Sequence, residues 1–159
     1  MILLVEPKVD RRMNKRMEKL LPTLRPRPIP ADVETDLRMG IAELGPYLLL
    51  RSEADRLGSP PQPMPDATGA EAFFNHVHPN GPGWSLQECA EAGMAAFDLL
   101  RSVIIDYEQS GPVQLTLGVG YHEIPSSTLR FYRRRPGEIW LTEDLEKYET
   151  EAILVEDIR

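Results

Sequence analysis

The sequence contains a single cysteine, Cys89, in 159 residues. One thiol excludes an intrachain disulfide framework and any CxxC-type zinc site. Long apolar runs are missing as well: none reaches the ~18 residues that a membrane-spanning helix needs. The opening Met1-Ile2-Leu3-Leu4-Val5 has no basic region before it and runs straight into Glu6-Pro7. It does not read as a signal peptide, so a cytoplasmic protein with no membrane partner is expected. No internal repeat is visible. Basic residues are outnumbered, 18 Lys and Arg against 25 Asp and Glu, for a net charge of −7, which argues against general affinity for nucleic acid. The composition, 42% hydrophobic and 27% charged, is that of a globular protein. A chain this long can bury roughly 68–70% of its unfolded surface. Residues 1–159 therefore read as one domain. Within it, 1–57 form a helical N-terminal part, 58–83 a Pro/Gly-rich loop, and 84–159 a helix plus an antiparallel sheet.

Charge is segregated along the chain. Lys8 to Arg27 holds eight basic residues against Asp10 and Glu18, a net of +6 that leaves −13 for the rest. Val9, Met13, Met17, Leu20 and Leu21 fall on one helical stripe, which Pro22 ends. Arg25-Pro26-Arg27-Pro28-Ile29-Pro30 reads as a stiff connector. Asp32 is the expected N-cap of a second helix carrying Val33, Leu37, Ile41 and Leu44 on one face, closed by Gly45-Pro46. A helix from Pro46 through Leu57 follows. Gly58 to Gly83 has six prolines and four glycines and is the candidate linker or functional loop, with a short helical piece around Gly69–Asn75.

Ser85 followed by Glu88 is a capping box. Leu86, Cys89, Ala90, Gly93, Phe97, Leu100, Ile104 and Tyr107 then form one apolar face of a helix of about 24 residues. The period switches to two at Val113, Leu115, Leu117, Val119 and Tyr121, a half-buried strand. Gly118 and Gly120 lie on its other face, where another element packs closely or a ligand approaches. Thr128–Arg134 is a second strand, Arg135-Pro136-Gly137-Glu138 a type II turn, Ile139–Leu141 the start of a return strand, and Ala152–Val155 a last strand. The expected fold is α+β: a C-terminal antiparallel sheet of three to four strands packed on one long helix, with an N-terminal helical pair.

Two regions carry candidate chemistry. Pro79 biases His78 toward extended backbone. His76 and His78 then point to one face, as two metal ligands must; in a helix they would lie about 200° apart. His122 is the third histidine. The run His76-x-His78-Pro79, a Gly/Pro-rich spacer, then Ser85-x-x-Glu88 resembles the motif of the JAMM (MPN/JAB) zinc metalloproteases, with Glu88 where that family has Asp. The resemblance implies zinc held by His76, His78 and Glu88, with Ser85 polarising a substrate carbonyl. The same loop is also turn chemistry, and a capping box accounts for Ser85 and Glu88. Cys89, on the apolar helix face, reads as a core residue.

The second region is acidic. Glu138 to Arg159 holds eight acids against Lys147 and Arg159, with Tyr132, Trp140 and Tyr148 among them. Aromatic anchors in a field of one sign suit a basic protein partner. The candidate contact residues are Tyr132, Trp140, Glu143, Asp144, Glu146, Tyr148, Glu149 and Glu151. Size, acidity and a sheet-plus-helix build are similar to bacterial toxin-immunity proteins. The leading expectation is thus a non-catalytic, cofactor-free protein that neutralises a basic toxin. The alternatives are a JAMM-like zinc hydrolase and an assembly component docking through the basic N-terminal helix, whose other use is to pair with the chain's own acidic half.

Overall fold

The computed structural model describes residues 6–107 and 111–159; the opening apolar run Met1–Val5 lies outside them. The elements are β1 (Val9–Met13), α1 (Lys15–Leu20), α2 (Ala31–Arg38), β2 (Ile41–Leu44), β3 (Tyr47–Leu50), α3 (Arg51–Leu57), α4 (Ala67–Phe74), α5 (Leu86–Asp106), β4 (Val113–His122), β5 (Ile124–Arg133) and β6 (Ala152–Ile158). The fold is α+β. A four-stranded antiparallel sheet in the order β1-β6-β4-β5 packs on α5, and β2 and β3 form a separate hairpin. None of the described helices is long and apolar enough to cross a membrane.

Period-two alternation gives the main sheet two faces. Val113, Leu115, Leu117, Val119, Leu129, Phe131 and Leu154 are buried in the main core with Ala90, Phe97, Leu100 and Ile104 of α5. Helix α5 starts as its sequence requires: Glu88 N donates to Ser85 Oγ (3.1 Å) and Ser85 N to Glu88 Oε1 (3.2 Å). Gly93 lets α5 approach the sheet, since a Cβ there would stand 2.9 Å from the Ser127 side chain.

Five local expectations are corrected. The stripe from Val9 does not start a helix: Val9–Met13 is a strand paired with β6, from Val9 opposite Ile158 to Met13 opposite Leu154. Asn14 then caps α1 by accepting from Met17 N at 3.1 Å. Long-range pairing, sealed by Arg11 on Glu156 at 2.8 Å, overrides the local period. Ile41 and Leu44 belong to β2 because Gly40, at φ +87°, stops α2 first. Pro30, not Asp32, is the N-cap of α2. The segment expected as one helix from Pro46 is strand Tyr47–Leu50 and then α3. Ile139–Leu141 forms no return strand; past the Pro136-Gly137 turn only Arg135 and Glu138 bridge. The edge of β5 is already occupied. Val77 bridges Leu129 there, Asn75 Nδ2 donates to Phe131 O (3.2 Å), Ser127 N to Asn80 Oδ1 (3.0 Å), and Arg133 N to Glu71 Oε1 (2.8 Å).

The 58–83 segment thus does structural work through α4. Glu71, fully buried, accepts from Leu48 N (2.7 Å) and from both terminal nitrogens of Arg135 (2.8 Å each). Asn75 accepts from Leu50 N (2.9 Å) and donates to Leu48 O (2.8 Å). A buried carboxylate with this many donors is compensated, and it welds the β2–β3 hairpin to the edge of the main sheet.

Candidate functional site

The sheet face away from α5 is closed by the irregular segment 139–151. Leu145, Ile153 and Val155 form a small core there, with Leu141 and Tyr148 packed against it. Beside this core lies a cleft of about 210 Å³ lined by Thr116, Thr128, Arg130, Trp140, Tyr148 and Glu151, among others. Arg130 donates to Ala72 O at 2.7 Å, and its guanidinium stands 5.4 Å from the centre of the Trp140 ring, within cation–π range. Burial pulls the Arg130 guanidinium below its ordinary value, and the Glu151 charge works against that shift. Gly118 and Gly120 admit this cover: a Cβ on Gly118 would stand 2.9 Å from Glu151 Oε2, and one on Gly120 3.3 Å from Thr150 O. Close packing of another part of the chain therefore accounts for both glycines.

The cover is tied down by the N-terminal segment. Asn14, buried, donates through Nδ2 to Glu151 O (2.8 Å) and Leu145 O (3.4 Å) and accepts from Ile153 N (2.9 Å). Arg12 donates to Glu143 O (2.9 Å), Arg16 to Glu149 O (2.5 Å), and Lys15 N to Glu146 Oε1 (2.7 Å). Thr142 N donates to the Tyr148 hydroxyl at 3.1 Å. The basic and acidic ends of the chain are thus neighbours. The arginines, however, take backbone carbonyls of this segment and leave the Glu143 and Glu149 carboxylates facing solvent. Glu143, Asp144, Glu146 and Glu149 are all exposed, Trp140 is 39% exposed and Ile139 78%. The result is an acidic strip with apolar residues at one end, on a segment held in place by these bonds.

Tyr132 is not part of that surface and is corrected. It is 2% exposed, its hydroxyl donates to Gln114 Oε1, and Gln114 Nε2 donates to Asp157 Oδ1 at 2.9 Å. Burial first, and then the Asp157 charge, push its phenol well above the usual range. Tyr148 and Glu151 are half-buried in the cleft wall rather than projecting outward. The residues that the sequence pattern concealed are Asn14, Arg12 and Arg16, which clamp the strip, and Arg130. An Asn ahead of a basic helical run was the visible signal for the first.

The two histidines of the loop do come together, with ring centroids 5.3 Å apart. Nδ1 of His76 bonds the Phe73 carbonyl, and Nδ1 of His78 lies 3.0 Å from Thr128 Oγ1. Glu88 is not their third partner: it serves the capping box and faces Arg27 Nη1 at 3.5 Å. Among the described residues no three His, Cys, Asp or Glu side chains gather as a metal site would require. His122 ends β4 opposite Ile124, and its side chain lies outside the described set. Cys89 is a core residue, 1% exposed, its thiol pushed up by burial and then by the Glu88 charge, the reverse of an activated nucleophile.

No curated protein and no solved structure matches the chain. Residues 12–159 match the model of the uncharacterized protein PM0498 family, so the chain belongs to that family.

Proposed function

We propose that this member of the PM0498 family is a non-catalytic binding protein for a basic protein partner, docked on the strip Glu143, Asp144, Glu146 and Glu149 with Ile139 and Trp140 as apolar anchors. The observation that carries the reading is the use of arginine on carbonyls rather than on carboxylates: the clamp orders the strip without consuming its charge. A pre-ordered surface avoids the entropy of fixing a loop on binding. A rim with four exposed acids against Lys147 steers an oppositely charged partner and disfavours like-charged ones. The adjacent cleft is the size of a partner side chain or two. The specific form we favour is an inhibitor of the immunity type, which would cover a basic toxin, such as a nuclease, and block it sterically.

The test is affinity capture with the wild type and with a Glu143→Lys/Glu146→Lys/Glu149→Lys variant, followed by binding kinetics on the captured protein. The expected partner is basic, is lost from the variant, and associates more slowly as salt rises from about 0.05 to 0.3 M. A partner retained by the charge-reversed variant, or one whose association rate ignores salt, overturns the proposal.

A further inference from the structure

A second surface has the opposite chemistry. On the far side of the clamp, α1, the start of α5 and the end of β4 enclose an open groove of about 680 Å³. One wall is cationic, with Lys15, Arg16 and Lys19 from α1; Leu20, Leu86 and Val119 supply apolar surface; Tyr121, 66% exposed, stands at the lip. In a chain of net charge −7, Lys15 and Lys19 are exposed and neither takes part in an ion pair among the described residues, where most of the arginines do. Backbone is open here too. β6 pairs with β4 only as far as Ala152 opposite Val119, whereas β5 follows β4 to His122. Gly120 is buried against Thr150 and Glu151, but among the described residues Tyr121 and His122 pair with β5 alone, and an unfilled strand end can accept an extended chain.

We propose that this groove binds an extended acidic segment of a partner protein, adding alongside the end of β4, its carboxylates toward Lys15 and Lys19 and an apolar side chain between Leu20, Leu86 and Val119. Nucleic acid suits the groove less well. Three cations neutralise few phosphates, while tight binding to nucleic acid draws on many. The groove adjoins the acidic strip, Thr150 lining it next to Glu149, so the chain would present a basic and an acidic surface side by side.

Fluorescence anisotropy on the full chain tests this with three labelled probes: the hexapeptide Glu-Leu-Glu-Leu-Glu-Leu, its Lys-for-Glu counterpart, and a single-stranded oligonucleotide. The acidic peptide should bind at low salt. Lys15→Glu/Lys19→Glu, which alters only exposed side chains, should weaken it about tenfold or more, and Tyr121→Ala should weaken it by a smaller factor. Glu143→Lys/Glu149→Lys should not weaken it, which separates this site from the strip. The proposal is overturned if the acidic peptide does not bind, if the Lys15/Lys19 variant binds it equally, or if the oligonucleotide binds more tightly than the peptide.

Discussion

Helix α5 closes one side of the main sheet and the irregular segment 139–151 closes the other, and different forces hold the two covers. Under α5 the contact is apolar and continuous, with Phe97, Leu100 and Ile104 against Leu115, Leu117 and Phe131. A helix satisfies its own backbone, so its fit to the sheet is chiefly a matter of packing. Segment 139–151 has only one short turn of helix, at Leu145–Lys147, and a small apolar core. Its carbonyls need donors from elsewhere, and Asn14, Arg12 and Arg16 supply them. The lesson is that the first cover is specified by volume and the second by hydrogen bonds. The second is also where charge and aromatic surface stay exposed.

The largest expected effect breaks the first cover. Phe97 is fully buried, and Phe97→Ala should cost about 3–5 kcal/mol through lost transfer energy and the cavity left behind. Chemical denaturation would show the loss as a lower midpoint with little change in slope. Opening of the 139–151 segment alone, measured by hydrogen exchange relative to global unfolding, should be little altered. Selective loss of protection in that segment would show that the two covers are not independent.

Asn14→Ala attacks the second cover. It leaves the amides of Met17 and Ile153 and the carbonyl of Glu151 without partners, and buried orphans cost about 1–3 kcal/mol each. At the low end for each of the three, a total of about 3 kcal/mol is expected, with protease cleavage appearing first within 139–151 while α5 stays protected. Uniform destabilisation with no preferential cleavage there would remove the clamp argument. Gly118→Ala is milder. Its Cβ meets the end of a flexible Glu151 side chain rather than backbone, so about 1 kcal/mol is expected, read as a small shift in midpoint and a changed Trp140 fluorescence.

Legibility in the sequence followed the same division. Helix α5 was readable because its cap and its period are local, Ser85 and Glu88 at one end and an unbroken apolar face beyond. Strand β4 was readable because alternation is local too. β1 was not, since its partner β6 lies at the opposite end of the chain and the five residues Val9–Met13 do not alternate. The strand at Ile41 was hidden behind an α2 that Gly40 stops early. At the site, the acidic strip and Trp140 could be seen as composition. Tyr132 was misplaced because Gly118 and Gly120 signalled close packing on the second face of the sheet without naming the cover, and segment 139–151 has no periodicity that would place it there. The clamp through Asn14 depends on a fold that brings the two ends together, and no spacing encodes it.

The finest contrast between the covers is their response to pH. On the α5 side, Glu91 accepts from Arg25 N (2.9 Å) and from Arg27 (3.1 Å). The Arg25 backbone bond is the largest cause holding its carboxyl below the ordinary 4.5, with burial working against it. A depressed carboxyl contributes stability that is present above its unfolded value and is lost as pH falls through the folded one. Glu91→Gln should therefore flatten the acid side of the stability curve below about pH 4.5. On the other side, Tyr132 is raised from its ordinary 10.0, chiefly by burial. Its neutral form is the folded one, so its contribution is full below about pH 10 and is lost as pH rises toward the folded value. Tyr132→Phe should flatten the alkaline side, after a fixed loss of about 1 kcal/mol for the broken bond to Gln114. Midpoints of urea unfolding for both variants across the acid and alkaline ranges would settle the assignment. If Glu91→Gln changed the alkaline limb, or Tyr132→Phe the acid one, the two covers would not carry separate titrations.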